Sequence, residues 1–144
     1  MTPDVNVLVA ASRSDHTHHE VALRWLEGAL ADAAAGRGLL LLPPVVASFL
    51  RLVTHPKVFV APTPIADAVA FVDALLALPG VRLPELGAEW PRLRDLCVAK
   101  KLAANDVPDA WLAAMVRELG DHLVTFDTGF RRLLGRAEFS LLKA

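Results

Sequence analysis

Short apolar runs separated by amphipathic stretches predict an α/β fold with a mostly parallel central sheet and helices on both faces. Two observations carry this. Leu39-Leu40-Leu41-Leu42 and Leu123-Val124-Thr125-Phe126 are continuous apolar runs short enough to be buried strands. Between such runs, apolar residues recur every three or four positions, and Gly and Pro fall where one segment gives way to the next. At 144 residues the chain is expected to form one domain, 1–144, with a substantial core. With 54% apolar and 22% charged residues it reads as globular rather than disordered.

The bulk numbers also narrow the function classes. Charges and prolines interrupt every apolar run before it could cross a bilayer, so no membrane association is expected. Met1-Thr2-Pro3-Asp4 lacks a basic n-region and does not read as a signal peptide. The lone Cys97 is expected to be buried and inert, in a reducing, cytoplasmic compartment. A net charge of −1 and a pI near 6.5 give no global case for nucleic acid, which leaves only a local basic patch.

Taken in order, residues 4–11 form an apolar run whose periodicity does not separate strand from helix. Thr17 and Glu20 fit a capping box, followed by an amphipathic helix through Trp25, Leu26, Ala29 and Leu30 that ends near residues 36–38. Residues 39–42 follow as a strand. Pro43-Pro44 opens a helix carrying Val45, Phe49, Leu52 and Val53, stopped by His55-Pro56. Thr63-Pro64 reads as N-cap and first turn of the next helix, which runs to Pro79-Gly80. Residues 81–83 form a short strand, and a helix starts near Trp90. Val107 precedes a proline and is expected to be extended, with Pro108 at the first helical position and Asp109 in the first turn. Ala110, Ala113, Ala114 and Leu119 give that helix an apolar stripe, and Gly120 ends it. Asp127 closes the 123–126 strand, residues 129–134 form a short helix, and residues 139–142 a last strand. No Gly-rich loop follows any strand, so a Rossmann or P-loop nucleotide site is unsupported.

Asp4, Asp109 and Asp127 fall at predicted element ends. In an open parallel sheet, ligands bind outside the carboxyl edge of the strands. Three carboxylates meeting there cannot all stay ionised without a counter-charge, and a divalent cation supplies one. Spacing alone leaves a second reading open, in which each acid is a solvated cap or turn residue.

Five segments together resemble a PIN-domain ribonuclease, and within that family the VapC toxins of type II toxin–antitoxin systems. They are Asp4-Val5-Asn6-Val7-Leu8-Val9, the helix Asp15 to Leu26, Phe49-Leu50-Arg51-Leu52-Val53-Thr54-His55-Pro56-Lys57-Val58-Phe59, Pro108-Asp109-Ala110-Trp111-Leu112-Ala113-Ala114 and Leu123-Val124-Thr125-Phe126-Asp127. They occur in order over nearly the whole chain. The resemblance implies a three-layer α/β/α sandwich with a parallel sheet. It implies an endonuclease that uses Mg²⁺, or Mn²⁺, to hydrolyse RNA phosphodiesters with a metal-activated water. It also implies restraint by a VapB-like antitoxin and a homodimeric assembly. On this reading Asp4 ends the first strand as a metal-binding acid, and a short helix follows. Asp109 is the second ligand and Asp127 assists. Asn6 and Thr125 support the acids, with Asp106 as a possible substitute acid.

The sequence departs from the family pattern at three places. Many PIN nucleases carry a glutamate in the helix after the second strand, whereas residues 43–54 contain no acid; Val46 or Ser48 stands about there. Gly129 occupies a place where an aspartate is frequent, and few residues precede Asp4. A catalytically silent PIN domain that binds RNA or protein is therefore the alternative. A phosphatase-like hydrolase using Asp4 as nucleophile would want an acid at position 6, where Asn6 stands. His16, His18 and His19 lack zinc-ligand spacing and read as a solvated helix start. Arg51 faces the cleft or snorkels. Arg131, with Lys100, Lys101, Arg132 and Arg136, is a candidate for RNA phosphates against the simpler reading of solvated charge. Trp25 reads as core or a dimer contact, and Trp111 as core or a base-stacking surface.

Overall fold

The computed structural model describes residues 1–143. Among these residues five short strands form two parallel sheets, one of three strands and one of two. β1 (Thr2–Pro3) pairs with β4 (Leu123–Thr125), which pairs with β5 (Phe139–Leu141); β2 (Leu39–Leu40) pairs with β3 (Val81–Arg82). Pro3 lies opposite Val124, and Val124 opposite Ser140. The Leu40 N–H donates to the Met1 carbonyl at 2.9 Å and joins the ladders at β1 and β2. Because β1 and β4 are parallel neighbours, whatever follows each of them emerges at the same sheet edge. Asp4 follows β1, and Asp127 follows β4 two residues on.

Among the described residues six α-helices surround these strands: α1 (Val5–Ser12), α2 (His19–Asp32), α3 (Pro43–Val53), α4 (Ile65–Leu76), α5 (Trp90–Ala99) and α6 (Asp106–Glu118). The result is the expected α/β/α arrangement on a parallel sheet. Among the described residues, none of the helices is long and apolar enough to cross a membrane. α1 explains why periodicity was silent over residues 4–11. Val7, Leu8, Val9, Ala10 and Ala11 are all buried, so the helix is apolar all round and lacks a solvent stripe. In α6, Ala110, Ala113 and Ala114 are fully buried, and these small side chains let the helix backbone lie close to its neighbours.

Several helix starts differ from the sequence expectation. α6 begins at Asp106, so Val107 is helical and Pro108 falls inside the first turn. The first four N–H groups of a helix have no partner within it, so a proline there forfeits nothing. α2 begins at His19 with His18 as cap, and the Thr17–Glu20 box is not made; the His18 N–H instead donates to His16 Nδ1 at 3.0 Å. α4 begins at Ile65 and Thr63 does not cap it. The Thr63 hydroxyl is claimed by Arg13 Nη1 at 3.0 Å. Arg13 is buried, grips Asp15 through Nε at 3.0 Å and Nη2 at 2.7 Å, bonds the Ala61 carbonyl at 2.9 Å, and stacks 3.8 Å from the Phe59 ring centroid. One guanidinium thus pins the loop between α3 and α4. Cys97 is half-buried rather than enclosed.

The loop before β3 depends on a glycine. Gly80 has φ +76°, and an added Cβ would collide with the Ala33 carbonyl. Gly80→Ala is therefore expected to lower stability by roughly 2 kcal/mol or more in denaturant titration. An unchanged midpoint would contradict this packing.

Candidate active site

Asp4 is the N-cap of α1, in extended backbone, and its side chain is 6% exposed. A carboxylate so placed needs donors in place of water. Asp4 Oδ1 accepts the Val5 N–H at 2.7 Å. Oδ2 accepts the Thr125 hydroxyl at 2.7 Å and Asn6 Nδ2 at 3.1 Å. The partners are themselves saturated. Thr125 Oγ1 accepts Asn6 Nδ2 at 3.2 Å and the Asp127 N–H at 2.9 Å, while Asn6 Oδ1 accepts the Phe126 N–H at 3.2 Å. The network ties the start of α1 to the end of β4. It occupies three of the roughly four lone-pair sites of the Asp4 carboxylate, which leaves about one on Oδ1 for an outside ligand.

Asp109 lies in α6, part-buried. Asp4 and Asp109 line one cavity of about 490 Å³ between α1, α3 and α6. Burial raises both carboxyls above their ordinary pKa. The Asp127 charge raises each further, and Asp4 also raises Asp109. Asp127 does not line the cavity and is exposed, but its charge reaches both other acids. Its Oδ1 is spent on the Gly129 N–H at 2.7 Å. Arg132 is the cation that opposes this effect at Asp109, and it also reaches Asp106 at 3.3 Å.

Among the described residues, no group of three His, Cys, Asp or Glu side chains is disposed to hold an ion alone. The donor set instead suits an ion with few protein ligands. Mg²⁺ and similar hard cations take one or two carboxylates and keep several waters. Asp4 with one free lone pair and Asp109 fit that demand, and the repulsion between them is what a cation would relieve.

The fold has counterparts. The family model for the PIN domain matches residues 1–134. The chain belongs to the PIN-domain family. It is 40% identical over 133 residues to ribonuclease VapC25 of Mycobacterium tuberculosis, a match covering 90% of this chain and 89% of that one. Ribonuclease VapC31 of the same species is 39% identical over 135 residues, covering 90% and 89%. Ribonuclease VapC48 is 36% identical over 137 residues, covering 93% and 92%. A chain in a crystal structure of VapBC2 from Rickettsia felis, bound to a DNA fragment from its promoter, superposes with a TM-score of 0.65. That match covers 99% of this chain and 98% of the other at 16% identity, a likeness of fold.

In this PIN domain Asn6 and Thr125 both hydrogen-bond the Asp4 carboxylate, whereas the sequence reading sets Thr125 beside the last acid, Asp127. Asp106 faces Arg132 and raises the Asp109 carboxyl, so it adds charge beside the cavity without lining it. Ser48 lines the cavity from α3, at the place considered for the missing glutamate. Gly129 has a local reason: an added Cβ would stand 3.0 Å from Asp127 Oδ1 and crowd the turn that holds this acid. Arg51 is exposed on α3 and does not line the cavity. Arg131 is exposed and lines two surface hollows, one with Lys100 and Arg132, the other with Arg136. The three histidines are not a solvated helix start. His18 stacks on Phe126 with centroids 4.9 Å apart, and His19 Nδ1 contacts the Ala10 carbonyl at 2.9 Å. Glu89 was not legible in the sequence. It is 4% exposed, and its Oε1 accepts Trp111 Nε1–H at 2.9 Å from 22 residues away.

The raised carboxyls set a pH dependence. An acid whose folded pKa lies above its unfolded value favours the fold when protonated. Its contribution is full below the ordinary carboxylate pKa and is lost as pH rises through the raised value. At pH 7.5 the metal-free protein therefore carries the repulsion, and Asp109→Asn is expected to raise its melting temperature by about 2–4 °C. A divalent cation should stabilise the unaltered protein but not Asp109→Asn, with the gain fading as pH falls into the carboxylate range. Scanning fluorimetry checks both arms; equal gains in the two proteins would contradict the assignment.

Proposed function

We propose that this PIN domain is an endoribonuclease toxin that hydrolyses RNA phosphodiesters with a divalent cation, Mg²⁺ or Mn²⁺, held by Asp4 and Asp109. The observation that carries the reading is the shared cavity of these two acids, where the Asp4 charge raises the Asp109 carboxyl, in a chain about 40% identical to a ribonuclease. When bound, such a cation supplies charge neutralisation at the phosphate and lowers the pKa of water in its shell. The chain's own residues do the rest. The Asn6–Thr125 network fixes the Asp4 carboxylate so that its free lone pair is presented without rearrangement. Asp127 keeps Oδ1 on Gly129, which leaves Oδ2 to orient the attacking water and accept its proton. Arg132 and Arg131 stand on the flank where RNA phosphates would be drawn in.

The wider reading follows the relatives. The chain acts as one domain, in the cytoplasm where its RNA substrate is, as a homodimer restrained by a VapB-like antitoxin. The superposed VapBC2 complex and the VapC names of the relatives support a toxin–antitoxin setting. One observation favours a second reading, a silent module that binds RNA without cutting it: Ser48 supplies no charge where many family members have glutamate.

Purified free of antitoxin, the protein is expected to cleave single-stranded RNA only with Mg²⁺ or Mn²⁺ present. Thr125→Val should lower the rate roughly 10–100-fold by freeing Asp4 from its main support. Asp4→Asn and Asp109→Asn should fall further. Cleavage that survives either asparagine change refutes the proposed mechanism. RNA binding with neither metal uptake nor cleavage establishes the silent module.

A further inference from the structure

The cavity holds more than the acids. Beyond Asp4 and Asp109 it is walled by Val45, Trp111, Leu112 and Met115, an apolar hollow far larger than a hydrated ion requires. Val45, Leu112 and Met115 are buried side chains of the core, so the floor is rigid. Trp111 is 45% exposed and stands at the wall. An exposed tryptophan would ordinarily sample several rotamers, but this one is tethered. Its Nε1–H donates to Glu89 Oε1 at 2.9 Å, and Glu89 Oε2 accepts the Gly87 N–H at 2.6 Å. Glu89 is 4% exposed, so losing the tether would leave a buried carboxylate oxygen without its donor. The indole thus spends its only polar group on the protein and has just its carbon surface to offer an occupant.

We infer that this hollow is a nucleobase pocket, in which one base of the RNA next to the scissile phosphate stacks against Trp111. The inference rests on the nuclease reading and adds how the substrate is held. Charge selects the occupant. The ionisable groups of the lining are the two acids, which would hold the cation, and apart from Ser48 the remaining lining side chains are apolar, so they suit a group that is neutral, flat and apolar-faced. A base attached to the nucleotide whose phosphate meets that cation satisfies all three conditions. Trp111 has no free donor or acceptor to read base edges, so its part in selection goes by stacking surface, purine above pyrimidine. Glu89 is a positioning residue, acting only through the indole.

The test reads binding, not cleavage. Antitoxin-free protein with Ca²⁺ in place of Mg²⁺ is titrated with hexa-adenylate, hexa-uridylate and a hexameric abasic ribose phosphate, following tryptophan emission and RNA anisotropy. Hexa-adenylate is expected to bind roughly 10–100-fold tighter than the abasic chain, with hexa-uridylate between them. Trp111→Ala should erase that spread, whereas Trp111→Phe, which keeps a ring face, should retain most of it. Glu89→Leu should narrow the spread while abasic affinity is unchanged. Equal affinity for all three chains in the unaltered protein overturns the pocket and leaves the nuclease reading standing. A spread that persists in Trp111→Ala, with an unchanged melting curve, also overturns it, and would leave the hollow to an apolar segment of a protein partner. Failure to bind any of the three chains overturns both.

Discussion

A carboxylate removed from water is tolerated only where donors take water's place, and the structure is arranged around one such group. Asp4 ends β1, starts α1, and is bonded across to β4 through Thr125 and Asn6. The hydrogen bonds that satisfy it also hold the first strand and the fourth in fixed relation at their shared edge. The group that would hold a metal is thus the same one that joins the amino-terminal strand to the late part of the chain. Its burial keeps the pKa high, and its donors keep it in one orientation. Stability and chemistry pull against each other at this residue, and the nearby charge of Asp127 adds to the cost.

Much of this was legible in sequence because it depends on local rules. Apolar runs bounded by breakers predicted β2, β3, β4 and β5, and acids at element ends predicted where charge would gather. α1 could not be read that way, since a helix buried on every side has no polar face to betray its period. Helix starts shifted by one or two residues, and at α4 a distant partner took the capping side chain, as Arg13 took Thr63. The Arg13 clamp and the Glu89–Trp111 tether link residues 50 and 22 positions apart. Nothing in local pattern distinguishes such residues from ordinary surface charge.

The site keeps its shape without an acid on α3. Ser48 lines the cavity where α3 approaches it, and the other acids are positioned from α1, α6 and the end of β4 without help from that helix. What changes is charge. With fewer acids the repulsion is milder, an ion has fewer ligands, and more of its shell is left to water. Gly129 marks a similar accommodation, since the Asp127 turn has little room for a side chain there.

The central claim is that Asp4 and Asp109 jointly hold one divalent cation. Anomalous diffraction from a crystal of the antitoxin-free protein soaked in Mn²⁺ tests it most directly. The account predicts a manganese peak within coordination distance, about 2–2.3 Å, of one oxygen from each of these two carboxylates, with waters completing the shell. Manganese bound elsewhere, or no peak at that edge of the sheet while the ion is plainly bound at other acids, would contradict it.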